Sequence, residues 1–297
     1  MATEVEHHTS THLSAVLPAL LQMHVNLSGD LRTETLARTA HMSRARFHTV
    51  FADTVGETVK QHTLRLRLER AAFRLLCETT DIAGIAFDLG FGSHEAFSRQ
   101  FRRRFHQSPT EYRAKPPPAN PPYLLRQPGL EDTTGDLYLS GTTPVHLAAT
   151  PIVFRRYTGP YEMVRPDAFE QLVQWAREHD VACSGLLGIA HDAPGITAPD
   201  RLRFDVCARV AGDVTGDPTT AYRVLPQRWA SSTWYSGPEH RLGEAVASAY
   251  RASHLLAGFT VTGLPLEEHY TSSQILTADR IETLRILIAL VPRGLSA

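Results

Sequence analysis

Arg99, Arg102, Arg103 and Arg104 fall within six positions of one another, behind His94 and Glu95. A guanidinium offers a fork of donors that fits the O6 and N7 edge of guanine or a pair of phosphate oxygens, and a glutamate can accept from the cytosine amino group. The other reactive side chains exclude more than they suggest. Cys77, Cys183 and Cys207 are odd in number and lack CxxC spacing, which argues against a disulfide framework or zinc knuckle and fits a reducing compartment. There is no Ser-His-Asp order, Walker loop, GxGxxG unit or metal-ligand spacing. His7, His8 and His12 crowd one terminal stretch and are read as no metal site. The expectation is a non-enzyme without cofactor or metal.

These groups sit in a chain of 297 residues with 42% hydrophobic and 21% charged residues, the composition of a folded protein with room for two domains. No apolar run approaches the roughly 20 residues of a spanning helix, and Met1–Ser10 is unlike a secretory leader. A soluble, cytoplasmic protein without membrane contact is expected. The net charge of −1 conceals a balance of +3 over residues 1–115 and −4 over 116–297, so the front half suits a polyanion and the back half does not. Lys115–Pro122 (KPPPANPP) cannot continue a helix or join a central strand. The predicted division is a domain at 1–115, a Pro-rich linker at 116–143 and a second domain at 144–297.

The front half repeats. Ser43, Phe47, Phe51 and Gly56 recur at an offset of fifty as Ser93, Phe97, Phe101 and His106. Each copy opens on an N-capping serine, and its phenylalanines stand four apart on one helical face. A short apolar helix precedes each: Leu36–Ala40 with Thr33 as cap, and Ile82–Phe87 capped by Asp81. Asp88-Leu-Gly-Phe-Gly92 supplies a glycine-bearing turn. The pattern is an all-α tandem helix-turn-helix. Glu57–Leu76 joins the copies, with Leu64, Leu68, Ala71, Ala72 and Leu75 in one apolar stripe. A helix of about twenty residues spans about 30 Å, near the roughly 34 Å between successive major-groove faces. Both second helices then reach one side of a duplex.

With Ile85-Ala-Phe-Asp-Leu-Gly-Phe-Gly-Ser-His-Glu-Ala-Phe-Ser-Arg-Gln-Phe-Arg-Arg-Arg-Phe105 and Gln107-Ser-Pro-Thr-Glu-Tyr-Arg113, the chain resembles the AraC/XylS family of bacterial transcription regulators over about residues 13–113. His106 stands where the family usually has glycine, so a small stability cost is expected if that residue is left-handed. Carried over by position, the resemblance implies base contacts from Ala45, His48, Thr49, His94, Glu95 and Arg99. It implies phosphate contacts from Arg44, Arg46, Arg102 and Arg103, within an Arg102–Arg104 run expected at DNA. Double-stranded DNA is therefore the implied partner, with RNA polymerase a further candidate, and a monomer suffices.

The back half is duplicated as well. Tyr157-Thr-Gly-Pro160 returns 78 positions later as Tyr235-Ser-Gly-Pro238, and His191 as His269. Each copy reads strand, Gly-Pro turn, helix, two strands: Pro151–Thr158 and Ala230–Ser236 lead, followed by helices over Pro166–His179 and Leu242–Leu256. Two βαββ copies give an antiparallel sheet with helices on one face, hence a multidomain α and α+β chain, and the open face at the pseudo-twofold junction is the expected cleft.

Arg156-Tyr-Thr-Gly-Pro-Tyr161, Leu172-Val-Gln-Trp-Ala176 and Leu266-Glu-Glu-His-Tyr270 make this half resemble the GyrI-like effector-binding domain, also found in Rob-type and multidrug-sensing regulators. The resemblance implies a lipophilic, often cationic small-molecule effector with Glu268 as its acidic partner, beside Glu267. A carboxylate next to aromatic faces suits an organic cation, and Tyr161, Trp234, Tyr235 and Tyr270 are the aromatic candidates; Trp175 is expected in the core. The function so implied is transcription regulation by sequence-specific DNA binding under a small-molecule signal. The alternative is a GyrI-like hydrolase fused to a DNA-binding domain, with Glu268 and Tyr157 or Tyr235 activating water.

Overall fold

A computed structural model describes residues 13–25, 27–78, 80–114, 138–217, 219–271 and 280–293. The Pro-rich stretch up to residue 137 and His7, His8 and His12 lie outside them. Two compact units divide the chain, His8–Asn120 and, in the main, Pro121–Ala297. Among the described residues no helix is long and apolar enough to cross a membrane.

The helical unit follows α1 (Leu13–Val25), α2 (Thr33–Thr39), α3 (Arg44–Val55), α4 (Val59–Cys77), α5 (Ile82–Asp88), α6 (His94–Phe105) and α7 (Pro109–Ala114). Local chemistry starts and stops them. The Ser43 hydroxyl accepts from Arg46 N, Ser93 from Ala96 N, and Asp81 from Gly84 N. Gly56 and His106 end α3 and α6 in left-handed backbone, φ 72° and 59°, so the histidine does adopt the conformation that its place in the repeat demands. Thr58 and Gln61 form a reciprocal capping box at the start of α4, and Ser108 and Glu111 exchange the same bonds around Pro109. The expected Thr33 cap is replaced: Thr33 is already helical, the cap position is Arg32, and its side chain makes no cap bond. Asp30 instead accepts from Arg32 N and Thr35 Oγ1.

Phe47, Phe51, Phe97 and Phe101 are fully buried. Each pair packs with tilted rings along its helix, at 5.5 and 5.4 Å between ring centroids, as the four-residue spacing requires. Phe105 is half-buried, against Phe101 and Tyr112.

The second unit is an antiparallel sheet of nine strands among the described residues: β1 (Tyr138–Leu139), β2 (Thr143–Leu147), β3 (Thr150–Thr158), β4 (Cys183–Ala190), β5 (Arg203–Val210), β6 (Ala221–Leu225), β7 (Arg228–Pro238), β8 (Phe259–Tyr270) and β9 (Arg280–Pro292). Two helices, α8 (Arg165–Glu178) and α9 (Leu242–His254), complete it. The strand order β1-β7-β9-β8-β4-β5-β3-β6 contains the duplication, since β7-β9-β8 mirrors β3-β5-β4 and the copies meet where β4 pairs with β8. β1 falls inside the stretch expected as linker, where Tyr138 and Leu139 pair with Ser236 and Tyr235.

Both helices cover one face of this sheet. Phe169 of α8 packs its ring 5.2 Å from Tyr270, and Ser253 of α9 hydrogen-bonds Ser231 at 2.6 Å. Directly paired residues share a face and neighbours along a strand alternate. The register Thr233–Ile286–Glu268–Gly188 therefore sets Glu268 on the helix-covered face with Tyr270 and Tyr235.

Candidate functional site

The second helix of each repeat turns its polar side outward. Arg44, Ala45, Arg46, His48 and Thr49 of α3 are exposed, as are His94, Glu95, Arg99, Arg102 and Arg103 of α6. Burial of the phenylalanine stripe leaves these positions no other direction. Their partners are weak and solvated: Arg44 lies 3.0 Å from Glu34, and Arg102 3.6 Å from Glu111, exposed pairs that water largely screens. Glu95 has a local use too. The bond from its own backbone N–H, and then that from the Ser93 hydroxyl, hold its carboxyl below the usual range, so it is an anion at the positive end of α6.

Arg104 departs from the run. It is half-buried, its Nη2 3.3 Å from Glu69 Oε1 and its guanidinium 5.3 Å from the Phe105 ring centroid. The fourth turn of α6 has rotated it into the protein, which makes it a brace between α6 and α4. Glu69 also receives Arg65 at 2.9 Å, and Arg65 reaches Glu57 at 3.0 Å. Burial pushes the Glu57 carboxyl up, but His62 and Arg65 outweigh it and hold it at about 2.

The proposed effector residues do not form one set. Tyr270 donates to Glu268 Oε2 at 2.7 Å, with both side chains buried. Tyr235 is buried on the same face and donates to the Pro238 carbonyl. Tyr161 donates to the Asp192 carbonyl at 2.7 Å and packs 5.5 Å from Phe204. Trp234 is different. It pairs with Arg285, whose other neighbour is His269, so it stands on the face opposite Glu268. The site around Glu268 also lies between sheet and helices rather than on the open face, because Phe169 and α9 close over that side. Trp175 is buried, its indole N–H bonded to Asp217 at 2.7 Å.

The face turned away from the helices carries groups that the sequence reading passed over, and with them Glu267, expected beside Glu268 but set on the opposite side by the alternation of the strand. Arg228 clasps Glu267, His269 Nε2 lies 2.8 Å from Glu267 Oε2, and Arg209 reaches His269 Nδ1 at 2.6 Å. Burial raises the Glu267 carboxyl, yet His269 and Arg228 bring it to about 2. Farther along, Arg156, Arg223 and His191 converge on Asp205. The alternation in Arg203-Phe-Asp-Val-Cys-Ala-Arg209 was the available signal, since Asp205 and Arg209 recur on even steps.

Residues 36–115 match the family model of a helix-turn-helix domain, and residues 143–290 that of a GyrI-like small molecule binding domain. The chain carries an AraC-type helix-turn-helix domain and a GyrI-like domain. It is 38% identical over 100 residues to the RCS-specific HTH-type transcriptional activator RclR of Escherichia coli strain K12, covering 33% of this chain and 35% of that protein. It is 37% identical over 95 residues to the HTH-type transcriptional regulator AlkR of Acinetobacter baylyi, covering 32% and 31%. The chain thus spans about a third of the length of these curated relatives. The EcmrR C-terminal domain aligns at TM-score 0.42 and 15% identity, over 51% of this chain and 97% of that one.

Proposed function

We propose that this AraC/XylS-type chain regulates transcription as one polypeptide, reading DNA with α3 and α6 and sensing a small molecule with its GyrI-like domain. The observation that carries the reading is the repeat. Two serine-capped helices hold their phenylalanines in the core and turn Ala45, His48 and Thr49, and His94, Glu95 and Arg99, to solvent. Those six are the base-reading side chains; Arg44, Arg46, Arg102 and Arg103 flank them for phosphate. Two reading helices in one chain make a dimer unnecessary. To regulate, the effector must favour one DNA-binding or polymerase-contacting state over another.

Arg99→Ala is expected to weaken binding to promoter DNA by about 1–3 kcal/mol, concentrated at one guanine. A titration over single-base variants at several salt concentrations reads it. A loss uniform across sequences, with a shallower salt slope, would reassign Arg99 to phosphate.

For the effector, Glu268 is the charge that meets an organic cation and Tyr270 the aromatic wall beside it. Tyr161 and Tyr235 frame that side of the sheet, and a ligand enters between the sheet and α8. Glu268→Gln is expected to lower the affinity for a cationic dye such as rhodamine 6G at least tenfold, measured by fluorescence anisotropy. Unchanged dye affinity would remove Glu268 from the site. The pocket is read as a binding site rather than a hydrolytic one, and incubation with candidate effectors should leave them chemically intact.

A further inference from the structure

Among the described residues, the sheet face turned away from α8 and α9 carries six guanidiniums by strand register and contact, those of Arg156, Arg203, Arg209, Arg223, Arg228 and Arg285, and the strand carboxylates Asp205 and Glu267, while Arg203 takes Asp192 from beyond the end of β4. The carboxylates are spoken for. Asp205 takes Arg156 and Arg223, and Glu267 takes Arg228. Arg209 and Arg285 have no carboxylate in salt-bridge range among the described residues. Arg209 spends one Nη2 bond on His269, and Arg285 donates its Nε to Ser232 at 2.7 Å.

The histidine between them adds no negative charge. Arginine only donates, so His269 Nδ1 must accept from Arg209, leaving Nε2 to carry the proton toward Glu267. Burial lowers the pKa of this ring against the pull of Glu267. Beside it, Trp234 is 37% exposed, and the Arg285 guanidinium lies 5.5 Å from its ring centroid. Trp234, Arg285 and His269 occupy one cross-strand row, with Arg209 bridging to it from β5. Half-buried charges of one sign are costly to hold together, and the counter-charge that acts on Arg209, Glu267, is already shared with Arg228 and His269. This face thus combines surplus donors in fork geometry with an accessible indole.

We propose that this face binds a small aromatic carboxylate, its two oxygens on the Arg209 and Arg285 guanidiniums and its ring against Trp234. The planar carboxylate matches the fork of an arginine as a bidentate partner, and the indole supplies an apolar surface for the ring. The site is separate from Glu268, which faces the other way and suits a cation. It stands whether or not the effector reading holds.

The test is calorimetric titration of the full chain with 2-naphthoate and its neutral analogue 2-naphthamide. Saturable binding of naphthoate alone is expected. Arg285→Gln should weaken it at least tenfold, Arg285→Lys several-fold because the fork is lost, and Trp234→Leu about fivefold. Glu268→Gln should leave it unchanged. Arg285 holds one hydroxyl and an exposed ring, so its variants keep the fold, checked by circular dichroism. Three results would overturn the proposal: no saturable naphthoate binding, equal binding of naphthamide, or parental affinity in Arg285→Gln. Inorganic phosphate binding as tightly as naphthoate, with Trp234→Leu without effect, would overturn the aromatic assignment in favour of a bare anion site.

Discussion

Replacing Asp205 by Asn is expected to destabilise the sheet unit by about 3–5 kcal/mol, because a buried ion network loses the anion that Arg156 and Arg223 share while those cations stay. Asp205 is fully buried. Its Oδ1 receives Arg156 at 2.7 Å, and its Oδ2 receives Arg156 at 2.9 Å and Arg223 at 3.2 Å, with His191 Nε2 at 2.8 Å. Burial pushes this carboxyl up, but Arg156 and His191 hold it well below the usual carboxylate range. Asparagine keeps the shape and leaves two guanidiniums in a dry site with no compensating charge. Trp175, Trp229 and Trp234, the chain's three tryptophans, all belong to this unit, so urea unfolding followed by tryptophan fluorescence reports it separately from the helical unit. A loss below about 1 kcal/mol would mean that the network is solvated in solution.

The same network gives an acid dependence with a definite sign. Burial lowers His191 from 6.5 to about 4 against the attraction of Asp205. Between those values the unfolded chain takes up a proton that the fold refuses, so stability is full above about pH 6.5 and falls as pH drops toward 4. Asp205 works in the same direction at lower pH, because it stays ionised in the fold after the unfolded carboxyl has protonated. His191→Gln should flatten the slope between pH 6.5 and 4 while leaving the decline below pH 4.

How far such features can be read in advance depends on how local their causes are. The tandem helices were legible because Ser43 and Ser93 cap their own third residues and because phenylalanines four apart must share a face. Those facts need no tertiary knowledge. The duplicated sheet was legible from Tyr157-Thr-Gly-Pro160 and Tyr235-Ser-Gly-Pro238, since each ends a strand at its turn. The face of the effector site was another matter. Trp234 and Tyr235 are neighbours in a strand and cannot line one pocket, a constraint available in the sequence alone. Which of the two stands with Glu268 follows only from register, and which face the helices take follows from Phe169 meeting Tyr270. Arg104 turned inward for a similar reason: Glu69, thirty-five residues earlier, is brought to it by the crossing of α4 and α6. Long arginine side chains declare their partners only once such crossings exist.

Arg67 is the strongest case of that kind, and its loss should separate the two halves of DNA recognition. From the middle of α4 its Nε donates to the Leu27 carbonyl at 2.8 Å and its Nη1 to the Gly90 carbonyl at 3.0 Å. Leu27 precedes α2 in the first repeat, and Gly90 is the turn between α5 and α6 in the second, so one guanidinium ties both motifs to the connecting helix. Gly90 has φ +76°, and a Cβ there would stand 2.7 Å from Arg67 Nη2; the turn is shaped around this side chain. Burial lowers the pKa of Arg67, which marks a charge held away from water by the carbonyls it serves. Arg67→Leu removes two charge-assisted bonds and leaves their acceptors short, at a cost of about 2–4 kcal/mol to the helical unit. The effect on binding should exceed that on either motif alone. With the repeats no longer held in register, affinity for a full site spanning two major-groove faces should fall at least tenfold, while affinity for an isolated half-site stays within about twofold. Gel-shift titrations on the two duplexes at one salt concentration distinguish these outcomes. Equal losses on both would make Arg67 a general stabiliser, and no loss on the full site would mean that α4 alone sets the spacing of α3 and α6.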